Sequence, residues 1–341
     1  MKKRILFFLL IAIFASACKQ TTETKLVELN GKTQGTTYSI KIVDSKLSLD
    51  NSSKEKLHKE IDSILVEISN QMSTWQNDSE ISEFNLSKTT DWFPVSLDFV
   101  NVVETSQRIS ETSNGALDIT VGALVNLWGF GPVKKDEVIP SDNEIEEAKK
   151  LCDYKKISFR KNEPAIKKEI DNITIDLSAV AQGFSVDKLN NYLFEKGYKN
   201  FLVEIGGEVR TAGKNHLNEN WKIGISVPDG SFDIQKVISL DNAAVSTSGD
   251  YRDYFEKDGV RFSHTIDPKT GKPITHSLAS VTVVCKNCAD ADGYSTAIDV
   301  LGPDAGYELA VKEKLAVLLI VKTENGFSEK MTPEFESLFK K

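Results

Sequence analysis

The chain has 341 residues, a formal net charge of −8 and four cysteines. This length is enough for one large domain or two closely packed ones, and the negative charge argues against a nucleic-acid-binding protein, which needs a basic face. Four cysteines are too few for a disulfide framework in a chain of this size, so a stable core must come from apolar packing.

The first residues predict a secretory leader. Basic residues open the chain, an apolar run follows over 5–14, and small residues lead directly to Cys18. The run has the length of a signal peptide rather than of a membrane span. This pattern is typical of bacterial lipoproteins and predicts a signal peptide over 1–17, a lipidated Cys18 and a polar tether over 18–30. Acyl chains would hold the protein on a membrane of the cell envelope, facing the periplasm; the alternative is an ordinary leader with an incidental cysteine.

Hydrophobic spacing and turn residues predict helices and short strands in irregular alternation. The predicted helices cover 54–75, 96–113, 141–151, 183–196 and 290–301, the third opening with a capping-box pattern. The predicted strands and strand-rich segments cover 38–43, 157–159, 165–169, 173–177, 200–212, 221–227, 236–247, 260–266, 281–285 and 315–321. This order favours an α+β fold with a mixed sheet over a regular βαβ array.

Two glycine-containing segments suit the binding of a ligand. Residues 114–132 (NGALDITVGALVNLWGFGP) place glycines and aromatic residues beside Asp118, which suits close backbone approach to a planar ligand. Residues 175–187 (IDLSAVAQGFSVD) lead from a strand into a helix, whose first N–H groups suit a phosphate. The alternatives are a glycine-rich turn above an aromatic core, and simple capping of the helix by Asp176.

Two further segments carry charged or titratable groups between strands. Residues 203–210 (VEIGGEVR) place Gly-Gly between two strands, which predicts a hairpin with Glu204 and Arg210 able to pair. His264 comes just before a loop rich in proline and glycine, where it could act as a general base. The alternative is a hydrogen-bonded structural histidine.

The stretch CKNCADADGYSTA offers two kinds of metal ligand. Asp292 and Thr296 are four residues apart on a predicted helix, so they share a face, and their oxygens suit Mg²⁺ or Ca²⁺. The alternative is helix capping by the aspartates, and capping is the simplest role for Asp290. Cys285 and Cys288 lack the further ligands of a zinc site, which leaves a redox pair, a disulfide or two idle thiols.

Each of these segments alone is weak evidence for a function, but their order along the chain is specific to one protein family. The ordered set is KTQGTTYSI, MSTWQNDSEISEFN, GALDITVGALVNLWGFGP, IDLSAVAQGFSVD, FLVEIGGEVRTAGKN, AAVSTSGDYRDYF, RFSHTIDPKTGKPI and ADADGYSTAIDVLG. From residue 31 to the C-terminus this set strongly resembles the ApbE family of flavin transferases. A lipoprotein leader is also usual in that family.

The resemblance implies a T-fold-like α+β architecture over 31–341, built as one large domain with closely packed subdomains. It implies an enzyme that takes FAD as substrate and Mg²⁺ as cofactor, transfers FMN to a Thr or Ser hydroxyl of an acceptor protein and releases AMP. The family's acceptors are typically subunits of membrane redox complexes, such as the sodium-pumping quinone reductase (Nqr) and Rnf-type complexes.

The resemblance also assigns residues by motif position. Mg²⁺ would be held by Asp292, Thr296 and the backbone carbonyl of Ala179, a small set that leaves positions for phosphate oxygens. His264 is implied as the general base for the acceptor hydroxyl. The implied FAD contacts are Gln34, Trp75, Ala116, Leu117, Asp118, Asp176, Gln182 and Ile266.

The chain departs from the family pattern at three of these motif positions. Gln34 stands where many members carry Met, and Gln182 where Lys or Glu is frequent, which leaves the Gln182 contact open. Ser295 stands where relatives can carry Asp, which leaves its role at the metal open. The CKNC pair is not a family motif.

Two other functions are compatible with flavin binding. One is a lipid-anchored protein that stores FAD, and the other is a pyrophosphatase that hydrolyses FAD to FMN and AMP. The Asp292 and Thr296 pair together with His264 favours an enzyme, because storage needs neither a metal nor a base. Hydrolysis and transfer would share these residues.

Overall fold

One large sheet forms the centre of the fold. The computed structural model describes residues 25–44, 51–132, 139–229, 231, 233–249, 254–257 and 260–339. Within these ranges the strands are β1 (Lys25–Thr33), β2 (Thr36–Asp44), β3 (Phe93–Pro94), β4 (Ile157–Arg160), β5 (Ala165–Lys168), β6 (Phe201–Ile205), β7 (Glu208–Ala212), β8 (Trp221–Ser226), β9 (Ile234–Leu240), β10 (Ala244–Gly249), β11 (Tyr254–Lys257), β12 (Val260–Ser263), β13 (Ile266–Asp267), β14 (Lys272–Pro273), β15 (Leu278–Cys285), β16 (Ala316–Thr323) and β17 (Gly326–Met331). The helices are α1 (Asn51–Met72), α2 (Glu80–Leu86), α3 (Leu97–Thr112), α4 (Gly122–Leu127), α5 (Asp142–Lys149), α6 (Ser178–Glu195), α7 (Cys288–Lys312) and α8 (Pro333–Ser337).

The main sheet has eight strands in the order β1-β2-β6-β7-β10-β15-β16-β17. Each neighbouring pair is antiparallel. The α+β class is therefore confirmed, but the sheet is antiparallel throughout rather than mixed. Tight turns join β1 to β2, β6 to β7 and β16 to β17, and strands joined in this way must run antiparallel.

The sheet is covered on both faces. On β6, Phe201, Val203 and Ile205 pack into the core formed with α1 and α6, whereas Leu202 packs against the β8–β9 hairpin and α8. Successive side chains of a strand point to opposite faces, so both sets are buried. The helix-facing side of this sheet is the side on which the candidate site residues lie.

Helix α7 continues beyond the predicted end at residue 301. It is kinked at Gly302, whose φ is 79°, and Pro303 follows. A side chain at Gly302 would also meet the His276 ring at 2.8 Å, so both the backbone angle and the space require glycine. In the described part of the chain, no helix is long and apolar enough to cross a membrane.

Other elements also differ from the sequence prediction, and helix α6 begins at Ser178 rather than at residue 183. The tether predicted over 18–30 is too long, because β1 begins at Lys25 and pairs with β2 from that residue onward. Residues 173–177 are not a strand; the Asn85 side chain bonds both the N–H and the carbonyl of Ile175, at 2.8 and 2.9 Å, in place of a neighbouring strand. The predicted signal peptide and Cys18 lie outside the described residues.

Candidate functional site

Helices α6 and α7 meet at the level of their backbones. A Cβ atom on Gly183 would lie 2.4 Å from the carbonyl oxygen of Cys288, so only glycine allows this approach. The Asp187 carboxylate of α6 accepts the N–H groups of Cys288 and Ala289 at 2.9 and 3.0 Å. It also pairs with Arg210 of β7 at 2.6 Å. One side chain therefore caps α7 and ties three elements together.

Asp292 lies one turn further along α7 and bonds back to α6. Its Oδ2 atom accepts the N–H of Gly183 at 2.9 Å. In a regular α-helix that N–H pairs with the carbonyl of Ala179, so the structure brings these two predicted metal ligands beside one peptide group. Asp292 is 6% exposed. Burial, and then the charge of Glu208, raises the pKa of Asp292 well above its ordinary value.

A row of hydroxyl groups holds the same face of α7 against β10. The Thr296 hydroxyl lies 3.5 Å from that of Ser248, and Ser248 lies 2.7 Å from Ser295. Ser295 donates to the Asp292 carbonyl at 2.8 Å. Because a hydroxyl has one proton and that of Ser295 goes to the Asp292 carbonyl, Ser295 accepts from Ser248.

Glu208 and Gln182 border the same space beside Gly206 in the β6–β7 turn. The Oε2 atom of Glu208 and the Nε2 atom of Gln182 each lie 3.4 Å from the point where a Cβ on Gly206 would sit. The other Glu208 oxygen accepts a long hydrogen bond from Ser246, at 3.4 Å. Burial raises the pKa of Glu208 to about 7. The structure thus places the predicted contact Gln182 beside an acid that the sequence reading did not select.

The ion pair predicted between Glu204 and Arg210 does not form. Arg210 pairs with Asp187, and Glu204 accepts the N–H of Gly207 at 2.9 Å. Arg210 is opposite Val203 in the strand register, so Glu204 and Arg210 point to opposite faces of the sheet.

Gln34 reaches the same region from the β1–β2 turn. Its φ is 48°, as a two-residue hairpin turn requires. Its Nε2 atom donates to the Ser185 hydroxyl of α6 at 2.6 Å, and its Oε1 atom is buried without a hydrogen-bond partner among the described residues. Ser185 follows Gln182 by three residues, so both lie on one side of α6.

The Asp118 carboxylate is hydrogen-bonded within and next to its own loop. Its carboxylate accepts the N–H and hydroxyl of Thr120 at 2.8 and 2.6 Å, and the N–H of Tyr154 at 3.0 Å. Burial raises the pKa of Asp118. Its neighbours Ala116 and Leu117, also predicted contacts, are buried.

Asp176 links this loop to the start of α6. Its N–H donates to the carbonyl of Ile119 at 2.8 Å, and its carboxylate accepts the N–H of Ser178 at 2.8 Å. Asp176 thus closes a turn just before α6, but it is not the N-cap considered for it: the N-cap is Leu177, and no side chain caps this helix start. The residue also borders an open cavity, where its remaining acceptor capacity can face a ligand.

That cavity has a volume of about 310 Å³. Asp176, Gly122 and Leu86 contribute to its walls, as does Thr74, the residue before Trp75. Trp75 is 67% exposed, so its ring is available to stack on a planar group. A second cavity, of about 330 Å³, lies beside β8, away from the predicted residues.

His264 lies one residue beyond β12, in the bend that leads to β13, rather than on the strand itself. Its ring contacts Phe130 edge-on, with centroids 6.5 Å apart. The next residue, Thr265, donates to Asp299 of α7 at 3.2 Å. Ile266 is buried beside Trp128. His264 is thus tied, through Thr265, to the helix that carries Asp292.

Asp299 and Glu208 are acids of this region that the sequence reading missed. Asp299 follows Asp292 by seven residues and Thr296 by three, so helical spacing would have placed it on the same face. No local pattern identifies Glu208, because its position opposite α7 depends on the pairing of β7 with β6 and β10.

The remaining features of CKNCADADGYSTA are structural. Asp290 pairs with Arg108 instead of capping α7, because Asp187 already occupies the helix start. Cys285 and Cys288 are free thiols, and Cys288 is fully buried. Burial raises the pKa of Cys285 to about 12, which keeps the thiol protonated and unreactive.

The oxygen donors fit a hard divalent cation. Asp292, Thr296 and Ala179 offer a carboxylate, a hydroxyl and a carbonyl, which suit Mg²⁺. In the ranges that the structure describes, no group of three or more His, Cys, Asp or Glu side chains is arranged around a single metal position. A cation here would depend on few protein ligands and keep positions for phosphate oxygens.

Known proteins are similar to this chain in sequence and in fold. The model of the ApbE family matches residues 34–319. The chain is 41% identical to the FAD:protein FMN transferase of Haemophilus influenzae, over 99% of both chains. It is 37% identical to that of Escherichia coli K12, over 96% of this chain and 94% of the relative. The solved flavin transferase ApbE from Vibrio cholerae matches with a TM-score of 0.85 and 40% identity, over 93% of this chain and 100% of that one. The apo form of the Pseudomonas stutzeri flavinyl transferase ApbE matches with a TM-score of 0.85 and 38% identity, over 93% and 97%.

The contact between α6 and α7 gives a first prediction. We expect Gly183→Ala to lower the free energy of unfolding by at least about 2 kcal/mol, because the new methyl group would meet a backbone carbonyl. Urea denaturation measures this. Gly224→Ala is the control, since its nearest atoms belong to the flexible side chain of Ile234, at 3.2 Å. Equal stability of the two variants would contradict the prediction.

Proposed function

Since the chain belongs to the ApbE family, we propose that it transfers FMN from FAD to a hydroxyl group of an acceptor protein, as an FAD:protein FMN transferase. The observation that carries this proposal is the buried Asp292 carboxylate, which accepts the N–H of Gly183 in α6, with Thr296 one turn further along the same face of α7. Storage of FAD would not need a buried acid beside a helix start. The reaction is a phosphoryl transfer, for which positioning and charge compensation are the main requirements.

In this reaction the acceptor oxygen attacks the phosphorus of the FMN half. A new P–O bond forms, the P–O bond to the AMP phosphate breaks, and AMP leaves. We assign Asp292, Thr296 and the Ala179 carbonyl as the residues that hold Mg²⁺. When bound, Mg²⁺ would supply positive charge that compensates the pyrophosphate and the leaving phosphate.

His264 is proposed to accept the proton of the attacking hydroxyl. A histidine can do so near neutral pH. Two observations support this position: Phe130 packs against the ring, and Thr265 bonds to Asp299 on α7. Both contacts restrict where the imidazole can lie relative to the metal ligands.

The flavin nucleotide is proposed to lie between the open cavity and the start of α6. Trp75 offers a stacking surface and Asp176 an acceptor at the cavity wall, while Gln34 and Gln182 are polar groups on the α6 side. The predicted contacts Ala116, Leu117, Asp118 and Ile266 are buried and do not line the open cavity, so they would support the pocket without forming its wall.

The acceptor residue is proposed to be a threonine or serine of a membrane redox complex of the Nqr or Rnf type. Cys18 is proposed to carry lipid, so that the enzyme is held on the periplasmic side of a membrane. The leader pattern before Cys18 supports this location.

The assay combines the protein, FAD, Mg²⁺ and an acceptor domain. Transfer gives flavin fluorescence on the acceptor that survives denaturing electrophoresis, together with AMP. Free FMN and AMP without a labelled acceptor would show hydrolysis instead, and the absence of AMP would leave binding alone.

In this assay, Asp292→Ala is expected to slow transfer more than about a hundredfold, because the carboxylate of the metal set is lost. Asp290→Ala is the matched control, since that acid pairs with Arg108 at the surface and its loss should leave the rate nearly unchanged. Full activity of Asp292→Ala at limiting Mg²⁺ would rule out the metal assignment.

His264→Ala is expected to bind FAD as the wild type does but to transfer FMN about 10²- to 10⁴-fold more slowly, because the base is missing. Binding is followed by flavin fluorescence and transfer by acceptor labelling. His216→Ala, at an exposed histidine, is the control. A transfer rate unchanged by His264→Ala would exclude the base role.

Cys18→Ser is expected to move the protein from the membrane fraction to the soluble fraction, because the acylated thiol is removed. Fractionation of cells measures the distribution. Cys152→Ser, which removes a thiol of the folded domain, should remain with the membranes. A Cys18→Ser protein that still sediments with membranes would refute lipid anchoring at this residue.

A further inference from the structure

Glu208 is a buried acid with an unpaired oxygen. The residue is 7% exposed and begins β7, directly after the Gly206–Gly207 turn. Its Oε2 atom is buried and has no hydrogen-bond partner within the described residues. A buried carboxylate without a partner destabilises the fold, because it loses its hydrogen bonds to water and forms no others. Such a group indicates that the oxygen is satisfied by a bound ligand.

The position of Glu208 points to the cation site. It lies on the helix-facing side of the sheet, where Ser246 contacts both Glu208 and Ser295, at 3.4 and 3.3 Å. Ser295 in turn donates to the carbonyl of Asp292. The free Oε2 atom faces the space that the Gln182 amide also borders, and Gln182 is the residue before Gly183, whose N–H is bonded to Asp292.

The charges of this region do not balance. Asp292 and Glu208 are two buried carboxylates, and neither has an ion-pair partner in the part of the chain described. Arg210, on the same strand as Glu208, is already bonded to Asp187. A divalent cation would compensate both acids at once, and its affinity rises with the number of charged ligands.

We propose that Glu208 supplies a second carboxylate to the divalent-cation site, so that the cation is held between Asp292 on α7 and Glu208 on β7. This inference rests on the proposed assignment of Asp292 as a metal ligand. Glu208 would then connect the main sheet to the reacting phosphates through the cation, and its unpaired oxygen would gain a partner when the cation binds.

The test measures cation binding without catalysis. Mn²⁺ serves as the probe, and its binding to the FAD-free protein is followed by electron paramagnetic resonance and calorimetry. Glu208→Gln keeps the shape of the side chain but removes the charge, and is expected to weaken Mn²⁺ binding about tenfold or more. Glu204→Gln is the matched control, because it removes the same charge from the other face of the same hairpin and should bind as the wild type does. Equal Mn²⁺ affinity of Glu208→Gln and the wild type would overturn the proposal.

Thermal unfolding separates this role from a structural one. In EDTA, Glu208→Gln is expected to be at least as stable as the wild type, because an unpaired buried charge has been removed. Added Mn²⁺ should then raise its melting temperature less than that of the wild type. A Glu208→Gln variant that is less stable in EDTA and gains the same shift with Mn²⁺ would show a structural role and refute the proposal.

The outcome is independent of the proposed reaction. A wild-type protein that binds Mn²⁺ tightly, loses this affinity in Glu208→Gln and transfers no flavin would confirm the second carboxylate and refute the transferase function. If the wild type transfers FMN and Glu208→Gln binds Mn²⁺ as tightly as the wild type does, the transferase function is supported and the second carboxylate is refuted.

Discussion

The backbone contact between α6 and α7 is the constraint on which the site depends. Gly183 lets the two helices approach until a peptide of one touches a carbonyl of the other, and Asp187 fixes the start of α7 at that distance. The bond from Gly183 to Asp292 follows from this approach. The approach itself is main chain against main chain, and the side chains of Asp187 and Asp292 bond across it. A side chain at position 183 would therefore separate the two helices that carry the proposed metal ligands.

Three acids near this contact, of which Asp292 and Glu208 are buried and Asp187 is largely buried, have different environments. Asp187 has two N–H groups and an arginine, so its charge is compensated within the fold. Asp292 has one N–H group, and Glu208 has a long bond to a serine and one oxygen without a partner. The first arrangement stabilises the fold, and the other two weaken it until a cation or a proton is supplied. The two acids whose charge is not compensated within the fold are thus the ones proposed to hold the cation.

Local sequence patterns correctly predicted the features that are determined by residues close together in the chain. Helical spacing predicted α1 and α3, the capping box at Ser141 is present, and the i,i+4 spacing placed Asp292 and Thr296 on one face. The order of the motifs along the chain then identified the family. Features that are determined by contacts between residues far apart in the chain could not be predicted from local patterns. Asp290 was expected to cap α7, but Asp187, about 100 positions earlier, does so. Residues 25–30 (KLVELN) alternate buried Val27 and Leu29 with polar residues, but this strand pattern is too short to be distinguished from a tether until β1 pairs with β2 in the folded sheet.

The length of strand β1 sets the distance between the start of the folded domain and the turn at Gln34. It runs from Lys25 to the turn at Gln34, whose side chain bonds to α6 beside the site. Nine residues of extended chain span about 30 Å. With Cys18 as the proposed anchor, the strand is a rigid spacer that can hold the site up to about 30 Å above the start of the folded domain. With such an anchor, acceptor hydroxyls that project from the lipid surface by up to a comparable distance would be within reach, as on an extramembrane domain.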